Sequence, residues 1–189
     1  MRRTTGLLLL AIVSCQIADR GPDPVPGSYG LGTPATPAEI AALDTDASPS
    51  GAGLPPGRGD ATRGAAIYAS QCAACHGANG EGIAPNPPLV GREPREGFPF
   101  GNDPKLVRTI GNYWPEAVTL FDYIKRTMPL AAPGSLSDEE VYSLTAHLLV
   151  ANEVLPAGSG LDSASLVAVR MPARDRFVPD DRRGGREVR

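Results

Sequence analysis

Cys72, Cys75 and His76 stand together as Cys72-Ala73-Ala74-Cys75-His76 in a chain that has only three cysteines and two histidines. Two thiols three positions apart, followed at once by an imidazole, form the C-x-x-C-H pattern by which a haem is attached covalently. The thiols add across the two vinyl groups as thioethers, and the adjacent imidazole is then placed under the iron as its proximal ligand. Rival chemistries fit less well. A structural zinc site needs four ligands, which so few Cys and His do not supply. A thioredoxin-like pair needs a βαβ setting, and a plain disulfide leaves His76 without a role. The expected cofactor is one covalent haem c.

The iron's other face decides what such a group does. Met128, Met171 and His147 are the candidates. Met128 stands just past a helical segment and before Pro129, in phase with that segment's apolar face, and is the preferred sulfur ligand; a core-filling methionine is its plain alternative. Met171-Pro172 lies in the tail, and His147 sits among apolar residues as a packed histidine. An iron closed by His76 and Met128 has a raised potential and no room for peroxide, which favours electron transfer. A displaceable distal ligand would instead make a haem enzyme such as a peroxidase. Tyr113 and Trp114, in Gly111-Asn112-Tyr113-Trp114-Pro115, and Arg92 are possible donors to the haem propionates, with packing or a solvated charge as alternatives.

The elements that must hold these side chains are helical. Asp60 caps a helix predicted over Ala61 to Gln71. A short second helix is expected over Asp103 to Ile110. Glu116 to Thr127 carries Ala117, Leu120, Phe121 and Ile124 at one-face spacing, and Pro129 ends it. Ser137 with Glu140 makes a capping box for a last helix from Asp138 to about Asn152. No run alternates as a strand, so the fold class is all-α, with the domain over about residues 58–155.

Around that domain the composition changes. Pro 20 and Gly 22 are too many to sit inside helices and gather in the flanks. Residues 16–57 read as a Pro/Gly-rich tether with one helix-like patch, Pro37 to Leu43, and residues 156–189 as an irregular polar tail. Met1-Arg2-Arg3 followed by apolar Leu7 to Val13 reads as a signal peptide, too short to span a bilayer. Ile12-Val13-Ser14-Cys15 is similar to a bacterial lipobox, which implies lipidation at Cys15 and a tether on the periplasmic side of the envelope. A net charge of −3 argues against nucleic acid as a partner.

These features together resemble the class I cytochrome c family. Gly64, Tyr68 and Cys72 recur every fourth residue as in that family's first helix, where the small residue lets the last helix cross closely. Gly77, Gly80 and Gly82 match its loop after the motif. The resemblance implies that a proline carbonyl holds the proximal histidine; Pro88 fits the family's position, with Pro87 as the alternative. Gly111-Asn-Tyr-Trp-Pro, Thr119 to Pro129, Ala132 to Asp138 and Met171 to Asp180 are similar, more narrowly, to the cytochrome subunits of sulfite dehydrogenase-type molybdenum enzymes and of sulfane dehydrogenase in bacterial sulfur oxidation. That resemblance spans about residues 28–180, which implies that part of the tether lies ordered. The sulfane dehydrogenase subunit carries two haem motifs and this chain one. The implied role is a non-catalytic electron-transfer subunit of an oxidoreductase, accepting electrons from a molybdenum sulfite dehydrogenase-like subunit, or from an unrelated periplasmic dehydrogenase, and passing them to a downstream cytochrome or oxidase. The exposed haem edge is expected beside Ile83, Ala84, Leu130, Ala131 and Ala132.

Overall fold

Ser137 Oγ accepts from the Glu140 N–H at 3.3 Å while Glu140 Oε2 accepts from the Ser137 N–H at 2.8 Å. This reciprocal cap starts the longest helix, α5 (Asp138–Ala151), and three acidic residues in its first turn favour that end of the helix dipole. Val141, Tyr142, Leu144, Ala146, Leu148 and Leu149 are all buried, so α5 is enclosed nearly all round, as a central helix must be. The computed structural model describes residues 32–178; the leader, Cys15 and the arginines from Arg182 onward lie outside the described residues. Residues 35–178 are described below as one unit.

Helix α2 (Ala61–Gln71) packs against α5. Asp60 caps it as expected, accepting from the Thr62 and Arg63 N–H groups at 2.9 Å each. The chain turns at Cys72, and a single further turn, α3 (Ala73–His76), carries the motif. Helix α4 (Ala117–Thr127) buries Leu120, Phe121 and Ile124 against α5, and Phe121 meets Tyr142 with ring centroids 4.5 Å apart. Helix α1 (Pro37–Leu43), closed by a Thr36/Glu39 capping box, forms at the patch predicted for it. None of these helices is long and apolar enough to cross a membrane.

The structure differs from the sequence reading in three places. Residues 103–110 are not a helix but a series of turns. Asp103 accepts from the Lys105 N–H in a side-chain turn, and the Asn112 amide takes the Thr109 N–H and donates to the carbonyls of Val107 and Glu93. Side-chain amides have claimed the groups a helix would need. A two-stranded antiparallel ribbon joins β1 (Arg58–Asp60) to β2 (Gly160–Asp162), a pairing too short to show as alternation. Finally, residues 156–178 are not a loose tail. Leu161, Leu166, Val169, Met171 and Ala173 are buried, and helix α6 (Ser163–Ala168) rests on α4. The packed body therefore extends well past residue 155. The described part of the tether packs on the body: Ala47 is buried and the Tyr142 hydroxyl donates to the Pro55 carbonyl at 2.8 Å.

Candidate functional site

Cys72 ends α2 with its N–H on the Tyr68 carbonyl at 2.9 Å, and its own carbonyl accepts from the Cys75 and His76 N–H groups, starting α3. One turn of helix thus sets both sulfurs and the imidazole on adjoining positions. Gly77 then leaves the helix at φ +80°, and the loop folds back: the Gly82 N–H donates to the His76 carbonyl at 2.7 Å and the Ile83 N–H to the Cys75 carbonyl at 3.1 Å. The Tyr68 hydroxyl, buried under α5, donates to the Gly77 carbonyl at 2.9 Å. Burial, with Cys72 and Glu81 nearby, pushes the Tyr68 phenol up to about 12, so it stays a donor.

The imidazole is oriented from behind. His76 Nδ1 lies 3.0 Å from the Pro87 carbonyl. A carbonyl only accepts, so Nδ1 carries the proton and Nε2 presents its lone pair outward. The sequence named Pro88 with Pro87 as the alternative; the structure gives the bond to Pro87. Gly82 is the reason the loop comes near enough. A Cβ there would lie 2.6 Å from the Pro88 nitrogen and 2.9 Å from the Pro87 carbonyl carbon, so this close approach fixes which carbonyl faces the ring.

Cys72 and Cys75 are both free thiols. Burial, then the neighbouring Cys75, pushes the Cys72 thiol up to about 11. Met128 is the C-cap of α4, its N–H on the Ile124 carbonyl at 3.0 Å, and it lies half-buried against the core with Cys72, Leu89 and Trp114. Two free sulfurs, one outward imidazole lone pair and a thioether among part-covered apolar side chains suit a haem iron. No His, Cys, Asp and Glu group suited to a bare metal ion occurs among the described residues.

The remaining predicted residues separate. Trp114 is half-buried against the core and meets Tyr123 edge-on at 5.9 Å. Tyr113 turns the other way, into a group with Phe98, Phe100 and Phe177, with the Arg108 guanidinium 4.9 Å from its ring centroid. Arg92 is ion-paired with Glu153 just beyond α5, its Nη1 enclosed without a well-directed hydrogen bond. Both have structural tasks that the sequence did not reveal. Met171 is 2% exposed and belongs to the core. His147 packs on Tyr68 with ring centroids 5.2 Å apart and the planes tilted by 48°, and burial lowers its pKa, as a packed histidine would show. Asn152, not singled out from the sequence, holds the loop beneath the site by accepting from Gly91 N–H and donating to the Leu89 carbonyl. Its place just past a helix end was the available signal.

Residues 59–148 match the family model described as cytochrome c oxidase, cbb3-type, subunit III. Among solved structures the chain is similar to the sulfane dehydrogenase SoxCD from Paracoccus pantotrophus, with a TM-score of 0.71 and 40% identity over 82% of this chain and 73% of that one. It is 33% identical over 99 residues to a thiosulfate dehydrogenase of Stutzerimonas stutzeri and 36% identical over 90 residues to one of Allochromatium vinosum. These alignments take in 50% and 48% of this chain but only 28% and 31% of those proteins.

Proposed function

The chain belongs to the cytochrome c family, with a class I cytochrome c fold, and on that footing we propose that it is a single-haem electron carrier serving a dehydrogenase. The observation that carries the proposal is the His76–Pro87 bond beside two free thiols: it orients the ring so that Nε2 is left outward. Cys72 and Cys75 would hold the haem as thioethers, His76 and Met128 would be the ligands of its iron, and Trp114 would donate to a propionate. Bound there, haem supplies a one-electron iron couple. Around it the chain's own residues orient the imidazole, exclude water and set the potential.

The likeness to a chain of sulfane dehydrogenase SoxCD, and to parts of two thiosulfate dehydrogenases, supports a sulfur-compound dehydrogenase as the electron donor; the sequence resemblance narrows the proposal to a molybdenum enzyme of the sulfite dehydrogenase type. A downstream cytochrome or oxidase takes the electron on. The leader and Cys15 support a lipid tether outside the cytoplasm. Redox titration of the haem-loaded protein tests the carrier role. One electron per chain, with resting ferric protein slow to bind cyanide or peroxide, is the expected result. Rapid ligand binding with peroxide turnover would establish the enzyme reading instead.

A further inference from the structure

We infer that Asp122 is a positioning residue for the distal ligand: through the backbone N–H of Ala47 it uses the segment preceding the haem-binding helices to hold the helix that ends at Met128. The inference rests on Met128 being an iron ligand. Asp122 is 9% exposed, a buried carboxylate on α4. Its Oδ1 accepts from the Ala47 N–H at 2.9 Å and from Arg126 Nε at 2.8 Å, and its Oδ2 pairs with Arg126 Nη2. Burial alone would raise its pKa, but the Arg126 and Ala47 hydrogen bonds outweigh it and hold the carboxyl below the usual range.

An exposed Asp–Arg pair one turn apart on a helix needs no such enclosure and contributes little. Burying the carboxylate is costly unless its lone pairs are filled, and the third donor comes from outside the helix. That donor is held firmly. The Ser48 N–H donates to the Ala52 carbonyl at 2.9 Å, the Gly51 N–H to the Ser48 carbonyl at 2.8 Å, and Gly53 lies so close to the Asp46 carbonyl that a Cβ would collide with it. Ala47 is itself 7% exposed. This turn precedes the residues 59–148 that match the family model. A helix moves as a rigid rod over so short a span. Any roll or slide of α4 that displaces Met128 must also pull Asp122 from Ala47.

The test uses the full-length haem-loaded protein with Asp122→Ala, Asp122→Asn and, as a control, Leu161→Ala, which opens a buried site on β2 away from α4. The readouts are imidazole affinity of the ferric form and the pH at which the Met–Fe(III) charge-transfer band disappears. Losing a charged, buried hydrogen bond predicts about tenfold tighter imidazole binding in Asp122→Ala, and about threefold in Asp122→Asn, which keeps a neutral acceptor. Leu161→Ala should lower the melting temperature while leaving both readouts near those of the unaltered protein. If the Asp122 variants and Leu161→Ala shift imidazole affinity equally, or none shifts it, Asp122 is merely structural and the inference is overturned. A missing Met–Fe band in the unaltered protein would overturn the Met128 assignment and the inference with it, a distinguishable failure.

Discussion

Gly64 and Ser143 meet through their backbones: α2 and α5 cross so closely that a Cβ on Gly64 would overlap the Ser143 carbonyl oxygen and stand 2.8 Å from His147 Cβ. This crossing fixes the floor on which Cys72 and α3 stand. Alanine in place of glycine inside a helix ordinarily stabilises by about 1 kcal/mol. Here Gly64→Ala should do the reverse, costing about 1–3 kcal/mol through overpacking, with a lowered melting temperature of the haem-loaded protein. An unchanged or raised value would mean the helices part easily.

Met128 and Met171 should answer substitution in opposite ways. Met128→Ala should abolish the Met–Fe(III) band and lower the reduction potential, since thioether ligation raises it. Met171→Ala should leave the spectrum and potential intact and destabilise by about 2–5 kcal/mol, because that side chain is 2% exposed in the core. Optical redox titration and thermal unfolding of both variants separate the two roles.

His147 makes stability depend on pH. Burial lowers its pKa in the folded protein below 6.5, so the unfolded chain binds its proton first as pH falls. Its favourable contribution is complete above about pH 6.5 and is lost as pH drops from there through the folded-state value. His147→Phe should keep the ring contact with Tyr68 and flatten the unfolding free energy across that window. A slope that survives in the variant assigns the titration elsewhere.

The exposed edge beside the motif and the α4–α5 loop is apolar. Ile83 is 49% and Leu130 74% exposed, with Ala84, Ala131 and Ala132 also open to solvent. Residues 128–137 include no lysine. If a redox partner docks there, electron transfer should change little between low and moderate salt, while Leu130→Asp should slow it. Stopped-flow rates against ionic strength check this; a steep fall with salt would place docking on a charged face.

Much of the site was legible because its signals are local. Asp60 and Ser137 announce α2 and α5 by capping chemistry, and Leu120, Phe121 and Ile124 announce α4 by spacing. The choice between Pro87 and Pro88 was not legible, since adjacent prolines differ only in which carbonyl the Gly82 approach turns toward His76. Nor was the packing of residues 156–178: Leu161, the short run Leu166 to Val169 and Met171 are too brief and too interrupted to mark a core segment, and only the reciprocal Asp162–Ser165 cap hinted at α6. The Asn112 amide that unmakes a helix at 103–110, and the Asp122 bond across 75 positions to Ala47, depend on tertiary contact that spacing does not record.

Mass spectrometry of the chain, produced in a host that matures c-type cytochromes and digested across Cys72–His76, is the most direct measurement. The peptide should carry one haem bonded through both Cys72 and Cys75 and resistant to acid extraction, and Cys72→Ala/Cys75→Ala should carry none. A peptide recovered with two unmodified thiols, or with the two sulfurs joined only to each other, would contradict the account.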